Sequence, residues 1–188
     1  MRFVRGMEAL KVGDPMRPDT RIGPLATPRI LQSLEEQVKS AIAAGAKVLT
    51  GGERVPGDGY YYRPTVLVDV PRGSAVYREE LFGPVAMLFR VRDLDEAIRV
   101  ANDTQYGLGA SAWTRDPAEQ QRLVAELECG SVFLNAMVAS DPRLPFGGIK
   151  RSGYGRELSA AGMREFMNAK TVVVGAPPPA IAQAARRS

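Results

Sequence analysis

The sequence predicts an α/β fold, because two kinds of segment alternate along the chain. Short stretches rich in branched and aromatic residues, such as PTVLVDV at 64–70 and VAMLFRV at 85–91, have the length of strands. Other stretches place apolar residues at helical spacing behind clear cap signals. The resulting β-α-β-α-β order favours a mainly parallel sheet that helices cover.

The first helix is predicted from residue 28 onward. Thr27 supplies an N-cap, and Pro28 occupies the first helical position, where a missing N–H is tolerated. The helix should reach about Ala44, since Gly45 can adopt the left-handed conformation that ends a helix. Its apolar stripe is predicted at Leu31, Leu34, Val38 and Ile42.

Two later helices carry acidic caps. Asp93 and Glu96 form a capping-box pattern ahead of an apolar face. Asp116, Pro117 and Glu119 supply a cap, a proline at the first helical position and an acid at the third. Besides the two stretches above, strands are predicted at residues 47–50, 109–113, 130–135 and 171–174.

Composition and charge exclude several classes of function. The 188 residues include no histidine and one cysteine, so they offer no histidine/cysteine zinc centre, no internal disulfide and no histidine-activated nucleophile. The net charge of +4 is spread among acids, which does not favour nucleic-acid binding, and no apolar run could span a bilayer. We therefore expect a cytoplasmic protein without metal, nucleic-acid or membrane partners.

Two stretches could carry chemistry. Residues 136–155 lack any regular period and hold four glycines, but a glycine-rich connector explains them as well as a functional loop does. Their glycines match no phosphate-binding motif. In EELFGPV at 79–85, the repulsion between two adjacent carboxylates and a Phe-Gly-Pro turn would fix one acid in a set direction, although a solvated acidic turn is the simpler interpretation.

Three motifs give the chain a family resemblance. EELFGPV at 79–85, NDTQYGLGASAWT at 102–114 and PFGGIKRSGYGRE at 145–157 resemble the aldehyde dehydrogenase superfamily, and the resemblance covers about residues 3–174. Within it, MVASDPRLPFGGIKRSGYGREL looks most like succinate-semialdehyde dehydrogenases. The resemblance implies that residues 1–175 are the C-terminal part of the catalytic domain with an oligomerisation strand. The proline-containing residues 176–188 are expected to be a disordered tail.

The resemblance also assigns site residues. Family enzymes use NAD or NADP and attack an aldehyde with a cysteine thiolate. By resemblance, Glu80 accepts hydrogen bonds from the nicotinamide ribose, and Phe82 packs beside the nicotinamide ring. Phe146 resembles a wall of the aldehyde pocket, and Ser140 a serine that contacts a substrate carboxylate. Glu157 resembles a buried proton-relay carboxylate, although an ion pair with a nearby arginine is an equally good interpretation.

The only cysteine, Cys129 in ECGSVFLN, does not match the family nucleophile. In the family, that cysteine lies in a glycine-glutamine-x-cysteine motif ahead of the segment that residues 3–15 resemble, and the general-base glutamate lies earlier still. Cys129 is therefore interpreted as a small half-buried residue. The resemblance implies that this chain lacks the nucleophile and most of the cofactor domain, is inactive alone, and exposes an apolar face.

Two functional hypotheses remain open. The first is a part of an NAD(P)-dependent aldehyde dehydrogenase, with succinate semialdehyde as the expected aldehyde. The second is a non-catalytic partner whose C-terminal strand, around residues 171–175, pairs with a full-length paralogue. A homo-oligomer or an assembly with the paralogue is expected.

Overall fold

The computed structural model describes residues 2–176, which form two compact units. Unit 1 comprises residues 2–105 and 115–127, and unit 2 comprises residues 106–114 and 128–176. The predicted α/β class is confirmed, since helices and strands alternate along the chain. In this described part of the chain, no helix is both long and apolar enough to cross a membrane. Of the expected tail at residues 176–188, residues 177–188 lie outside the described residues.

Unit 1 combines helices with a three-stranded sheet. Its strands are β1 (Lys47–Thr50), β2 (Thr65–Val68) and β3 (Val85–Leu88). Strand β1 runs antiparallel to β2, and β2 runs parallel to β3. Its helices are α1 (Arg2–Glu8), α2 (Pro28–Ala43), α3 (Ala75–Arg78), α4 (Leu94–Asn102) and α5 (Pro117–Glu126).

Three helices begin where their cap residues predict. Thr27 Oγ1 accepts a hydrogen bond from the backbone N–H of Ile30 at 3.2 Å, which opens α2. The carboxylates of Asp93 and Asp116 each accept a backbone N–H at 2.8 Å and open α4 and α5. These bonds satisfy donors that the first turn of a helix leaves unpaired, so the helix starts are fixed locally.

The core of unit 1 lies between α2 and the sheet. Leu34, Val38 and Leu67 are almost completely buried and pack in one apolar cluster. The predicted stripe of α2 is wrong at one position, because Ile42 is 42% exposed and Ala41 is buried in its place. The helical period of 3.6 residues explains this shift, since residue 41 follows residue 34 by seven positions and stays on the same face.

Unit 2 is built from short strands and one helix. Strand β4 (Tyr106–Gly107) pairs antiparallel with β7 (Ile149–Lys150), and β5 (Gly109–Ala112) pairs parallel with β6 (Ser131–Leu134). Helix α6 (Ser159–Arg164) follows the glycine-rich loop. This unit therefore contributes two separate ladders rather than one continuous sheet.

The strand pairing is more mixed than the predicted, mainly parallel sheet. Two of the four ladders in residues 2–176 are parallel, β2–β3 and β5–β6, and the other two are antiparallel. Between β1 and β2 the chain has turns and an isolated bridge, with no crossover helix. A connection of this kind returns the chain beside its neighbour and makes the pair antiparallel.

The predicted strand at residues 171–174 is wrong for the single chain. These residues form no regular element, and Val172, Val173 and Val174 are 71%, 86% and 89% exposed. Branched residues fit a strand only when a neighbouring strand pairs with their backbone. The described residues of this chain supply no such neighbour to residues 171–174.

Candidate functional site

The acidic motif forms a turn between α3 and β3 of unit 1. The backbone N–H of Glu79 donates to Val76 O at 3.3 Å, and that of Gly83 donates to Leu81 O at 2.8 Å. At the far end, Pro84 O accepts the N–H of Thr65 at 2.8 Å and ties the turn to β2. The backbone of the turn is therefore bonded on both sides of its acidic residues.

The turn also sits directly on α2. A Cβ atom at Gly83 would overlap the side chain of Leu34, which is buried. From the same helix, Gln37 Nε2 donates to the Glu79 carboxylate at 2.9 Å and to Glu80 O at 3.2 Å. Glycine is required here for close approach, and the amide fixes the backbone next to it.

A cavity of about 490 Å³ opens between this turn and the N-terminal half of α2. Glu80 and Phe82 line it from the turn, and Arg29, Ser33 and Gln37 line it from the helix. The Glu80 side chain is exposed, and Phe82 is 63% exposed. An accessible carboxylate beside an accessible aromatic ring can accept hydrogen bonds from a sugar and stack on a flat ring.

In unit 2, the backbones of Phe146 and Glu157 are paired. The N–H of Phe146 donates to Glu157 O at 2.8 Å, and the N–H of Glu157 donates to Phe146 O at 2.6 Å. Phe146 is half-buried. Glu157 is exposed rather than buried, and its carboxylate makes no ion pair within residues 2–176. Glu157 is therefore not the buried carboxylate that the resemblance implies, and its part in proton transfer stays a prediction.

Arg156 holds the glycine-rich loop together. Its Nη1 donates to Gly148 O at 2.9 Å and to Gly155 O at 2.6 Å, while its backbone N–H donates to the Glu165 carboxylate at 3.2 Å. Because Arg156 precedes Glu157, these bonds also hold the backbone that pairs with Phe146 in an isolated bridge. No local sequence signal indicates this role, since Gly148 and Glu165 lie eight and nine positions from Arg156.

A second cavity, of about 530 Å³, lies beside α6 in unit 2. Its lining includes Glu157, Ser159, Met163 and Phe166, but neither Phe146 nor Ser140. Ser140 is exposed on the loop before Phe146. The structure therefore brings Phe146 and Glu157 together through their backbones and leaves Ser140 apart from this cavity.

Cys129 has the surroundings of a structural thiol. It is half-buried, and its Sγ donates to Ser131 O at 3.1 Å. Burial raises the pKa of the Cys129 thiol, which outweighs the opposing hydrogen bonds. A raised pKa keeps the sulfur protonated and unreactive at neutral pH, so the geometry agrees with the interpretation of Cys129 as a small half-buried residue.

The predicted site residues are divided between the two units. Glu80 and Phe82 of unit 1 line one cavity, as neighbours on a single turn. Phe146, Ser140 and Glu157 belong to unit 2.

The described residues include no group of three or more cysteine or acidic side chains placed to hold a metal ion. Gln37 was missed in the sequence analysis, although a polar residue three positions after Leu34, at the edge of the apolar stripe of α2, is a signal that could have pointed to it.

Comparison with known proteins places this geometry in one family. Residues 1–172 match the aldehyde dehydrogenase family. The succinate-semialdehyde dehydrogenase [NADP(+)] 1 of Mycobacterium ulcerans is 54% identical over 174 residues, which cover 93% of this chain and 38% of that protein. The chain thus spans less than half the length of the curated relatives it matches.

Solved structures agree with the sequence comparison. The succinic semialdehyde dehydrogenase of Streptococcus pyogenes, in complex with NADP+, matches with a TM-score of 0.87 and 37% identity over 92% of this chain and 39% of that one. Aldehyde dehydrogenase 21 of Physcomitrella patens, in complex with the reaction product succinate, matches with a TM-score of 0.82 and 36% identity over 87% of this chain and 34% of that one. The chain therefore belongs to the aldehyde dehydrogenase family.

Proposed function

We propose that this chain is the C-terminal part of an NADP-dependent succinate-semialdehyde dehydrogenase. One observation carries the proposal: Glu80 and Phe82 project from a backbone-bonded turn into a common cavity, with both side chains accessible. The names of the relatives support the choice of cofactor and aldehyde, because they describe NADP(+)-dependent succinate-semialdehyde dehydrogenases.

The residues on the turn suit a nicotinamide nucleotide. The Glu80 carboxylate would accept hydrogen bonds from ribose hydroxyls, and the Phe82 ring would cover one side of the nicotinamide. When bound, NADP accepts the hydride in this class of reaction. The contribution of this chain is to orient the ring, since a hydrogen bond and a stacking contact together fix both its position and its tilt.

On the aldehyde side, the proposal assigns Phe146 to a wall of the pocket and Ser140 to the carboxylate end of the substrate. A hydroxyl donor such as that of Ser140 suits a carboxylate. Glu157 is assigned to proton transfer, because its exposed carboxylate lines the 530 Å³ cavity. The attacking thiolate would come from polypeptide outside these 188 residues. The Cys129 thiol donates a hydrogen bond to Ser131 O, and burial raises its pKa, which keeps the sulfur protonated.

Titration of the purified chain with NADP tests the cofactor role. We expect Glu80→Ala to weaken NADP binding about tenfold or more, because a hydrogen bond to a charged group contributes about 1.5–3 kcal/mol. Glu36→Ala, which removes an exposed carboxylate from α2, is the matched control and should bind as the unchanged chain does. Equal affinity of the Glu80→Ala variant and the unchanged chain would contradict the proposal.

An activity assay tests the assignment of the nucleophile. Incubated with succinate semialdehyde and NADP, the chain alone is expected to produce no NADPH. The Cys129→Ser variant should then be indistinguishable from the unchanged chain. Turnover that disappears in Cys129→Ser would show that this sulfur is the nucleophile and would overturn the assignment.

One observation favours a second function, that of a non-catalytic oligomerisation partner. Val172, Val173 and Val174 are largely exposed, and an unpaired apolar segment can add a strand to the sheet edge of another chain. Under this proposal the chain forms a homo-oligomer or joins a full-length paralogue. Sedimentation of the chain with and without that paralogue, alongside the Val173→Lys variant, tests it. A folded monomer that does not co-sediment with the paralogue would rule the second function out.

A further inference from the structure

Gln37 is a polar residue at the edge of the apolar face of α2. Helical spacing aligns it with Leu34 and Ala41, both buried, and it directly precedes the fully buried Val38. Gln37 itself is half-buried. An amide at such a position is destabilising unless its polar atoms find partners, so those partners indicate what the residue does.

The Gln37 amide binds two parts of the acidic turn. Its Nε2 lies 2.9 Å from Oε2 of Glu79 and 3.2 Å from the backbone carbonyl oxygen of Glu80. Both partners are acceptors, so the nitrogen must be the amide atom that faces the turn. One side chain therefore clamps the carboxylate of one residue and the main chain of the next.

This clamp distinguishes two adjacent acids that are chemically almost alike. The Glu79 carboxylate is engaged by Gln37, whereas Glu80 contributes only its carbonyl oxygen and leaves its carboxylate exposed at the cavity. The extended backbone at Glu79 points the two side chains in different directions, and the bonds to Gln37 hold the turn in the orientation that leaves the Glu80 carboxylate at the cavity. Both hydrogen bonds come from Gln37 of α2, which lies 42 positions before Glu79 in the chain.

We propose that Gln37 is a positioning residue that selects Glu80, rather than Glu79, as the carboxylate presented to the nicotinamide ribose. The inference deepens the proposed function and rests on it for the identity of the ligand. Gln37 acts through other groups: it holds the carbonyl of Glu80 in place and keeps the Glu79 carboxylate occupied. The contact of Gly83 with Leu34 anchors the other end of the same turn.

Hydrogen exchange measures the clamp directly. In Gln37→Leu and Gln37→Asn, the amides of residues 79–85 should exchange about fivefold faster, the factor expected when a hydrogen bond of ordinary net strength is lost. Gln37→Asn keeps an amide but shortens the side chain by one methylene. Gln32→Leu is the matched control, because within residues 2–176 the Gln32 amide on the same helix donates to Glu36 and not to the turn.

Exchange in strand β2 reports whether a variant keeps its fold. If Gln37→Leu also accelerates exchange in β2, the comparison rests on Gln37→Asn. Unchanged exchange of residues 79–85 in a Gln37 variant whose β2 stays protected would overturn the inference. Acceleration in both Gln37 variants, with none in Gln32→Leu, supports it.

NADP binding separates this inference from the proposed function. We expect the Gln37 variants to bind NADP about fivefold more weakly, because loss of the clamp releases the main chain of Glu80. If Glu80→Ala keeps its NADP affinity, the cofactor role of Glu80 fails, while the exchange data still decide whether the clamp exists. If Glu80→Ala loses affinity and both Gln37 variants bind as the unchanged chain does, the cofactor role stands and the positioning role of Gln37 is wrong.

Discussion

The two units of this chain are stabilised in different ways. Unit 1 has an apolar core in which Val38, Val66 and Leu67 are fully buried. In the described part of unit 2, the only buried residues are glycines: Gly107, Gly148 and Gly162. Unit 1 therefore derives stability from burial of side chains, whereas unit 2 depends on hydrogen bonds and on close approach of backbone to backbone.

Unit 2 also exposes large apolar side chains on its surface. Large apolar side chains there are open to solvent, including Trp113 at 61%, Phe166 at 94% and Met167 at 70%. Exposed apolar side chains are thus present in unit 2, and the apolar face that the resemblance implies stays a prediction. The turn that carries Glu80 and Phe82 therefore packs against an apolar core, whereas Phe146 lies on a loop without one.

The largest predicted effect is a difference in the free energy of unfolding between two leucine-to-alanine variants, one in each unit. Leu67→Ala in β2 should lower the free energy of unfolding by about 2–5 kcal/mol, because it leaves a cavity in a closed core. Leu144→Ala, at a residue of unit 2 that is 55% exposed, should change it by less than about 0.5 kcal/mol. Urea unfolding of both variants measures the two values. Similar losses would mean that Leu144 lies in a core of its own.

Two glycine-to-alanine variants, one of them a control, test the backbone packing of unit 2. A Cβ atom at Gly130 would overlap the carbonyl of Gly147, so Gly130→Ala should be destabilising by about 1–3 kcal/mol or more. Gly73→Ala in unit 1 is the control, because no atom lies within 4 Å of its added Cβ, and it should be neutral or slightly stabilising. Thermal unfolding compares the two. Unchanged thermal stability of the Gly130→Ala variant would contradict the close approach of the Gly130 and Gly147 backbones.

A smaller, pH-dependent effect is expected in the core of unit 1. Tyr62 is 1% exposed, and burial, followed by the negative charge of Glu35, raises its pKa to about 12. An unfolded tyrosine ionises near pH 10, so the folded state holds the proton more tightly and stability falls as the pH rises from about 10 to about 12. Tyr62→Phe should lack this loss in denaturant titrations.

The same variant should also be more stable at neutral pH. The Tyr62 hydroxyl has no hydrogen-bond partner within residues 2–176, and leaving a buried polar group unpaired costs about 1–3 kcal/mol. Removing the hydroxyl while keeping the ring should therefore raise the free energy of unfolding by about 1 kcal/mol. A lower value for Tyr62→Phe would show that the hydroxyl is paired in solution.

Local signals in the sequence were sufficient to predict the longer helices of unit 1. Helices α2, α4 and α5 were predicted because a cap side chain lies within three residues of the N–H that it accepts. Helices α1 and α3 were missed, since the first has no capping residue in the sequence and the second is only four residues long. Strand order and direction depend on partners that local pattern does not specify.

The candidate site was predictable in part, for the same reason. The motif identified Glu80 and Phe82 as candidates, and both prove to be accessible neighbours on one turn. The role of Gln37 could not be read from the motif, because the contact spans 42 positions. The exposure of Glu157 was likewise unpredictable, since burial depends on what packs over a residue rather than on the residue itself.

Native-state hydrogen exchange of the unmodified chain tests the central claim that unit 1 has its own core and unit 2 has none. The amides of β2 should exchange only through global unfolding, whereas those of β6 should exchange faster through local opening, because few apolar side chains are buried around them. Protection of β6 equal to or greater than that of β2 would contradict this account.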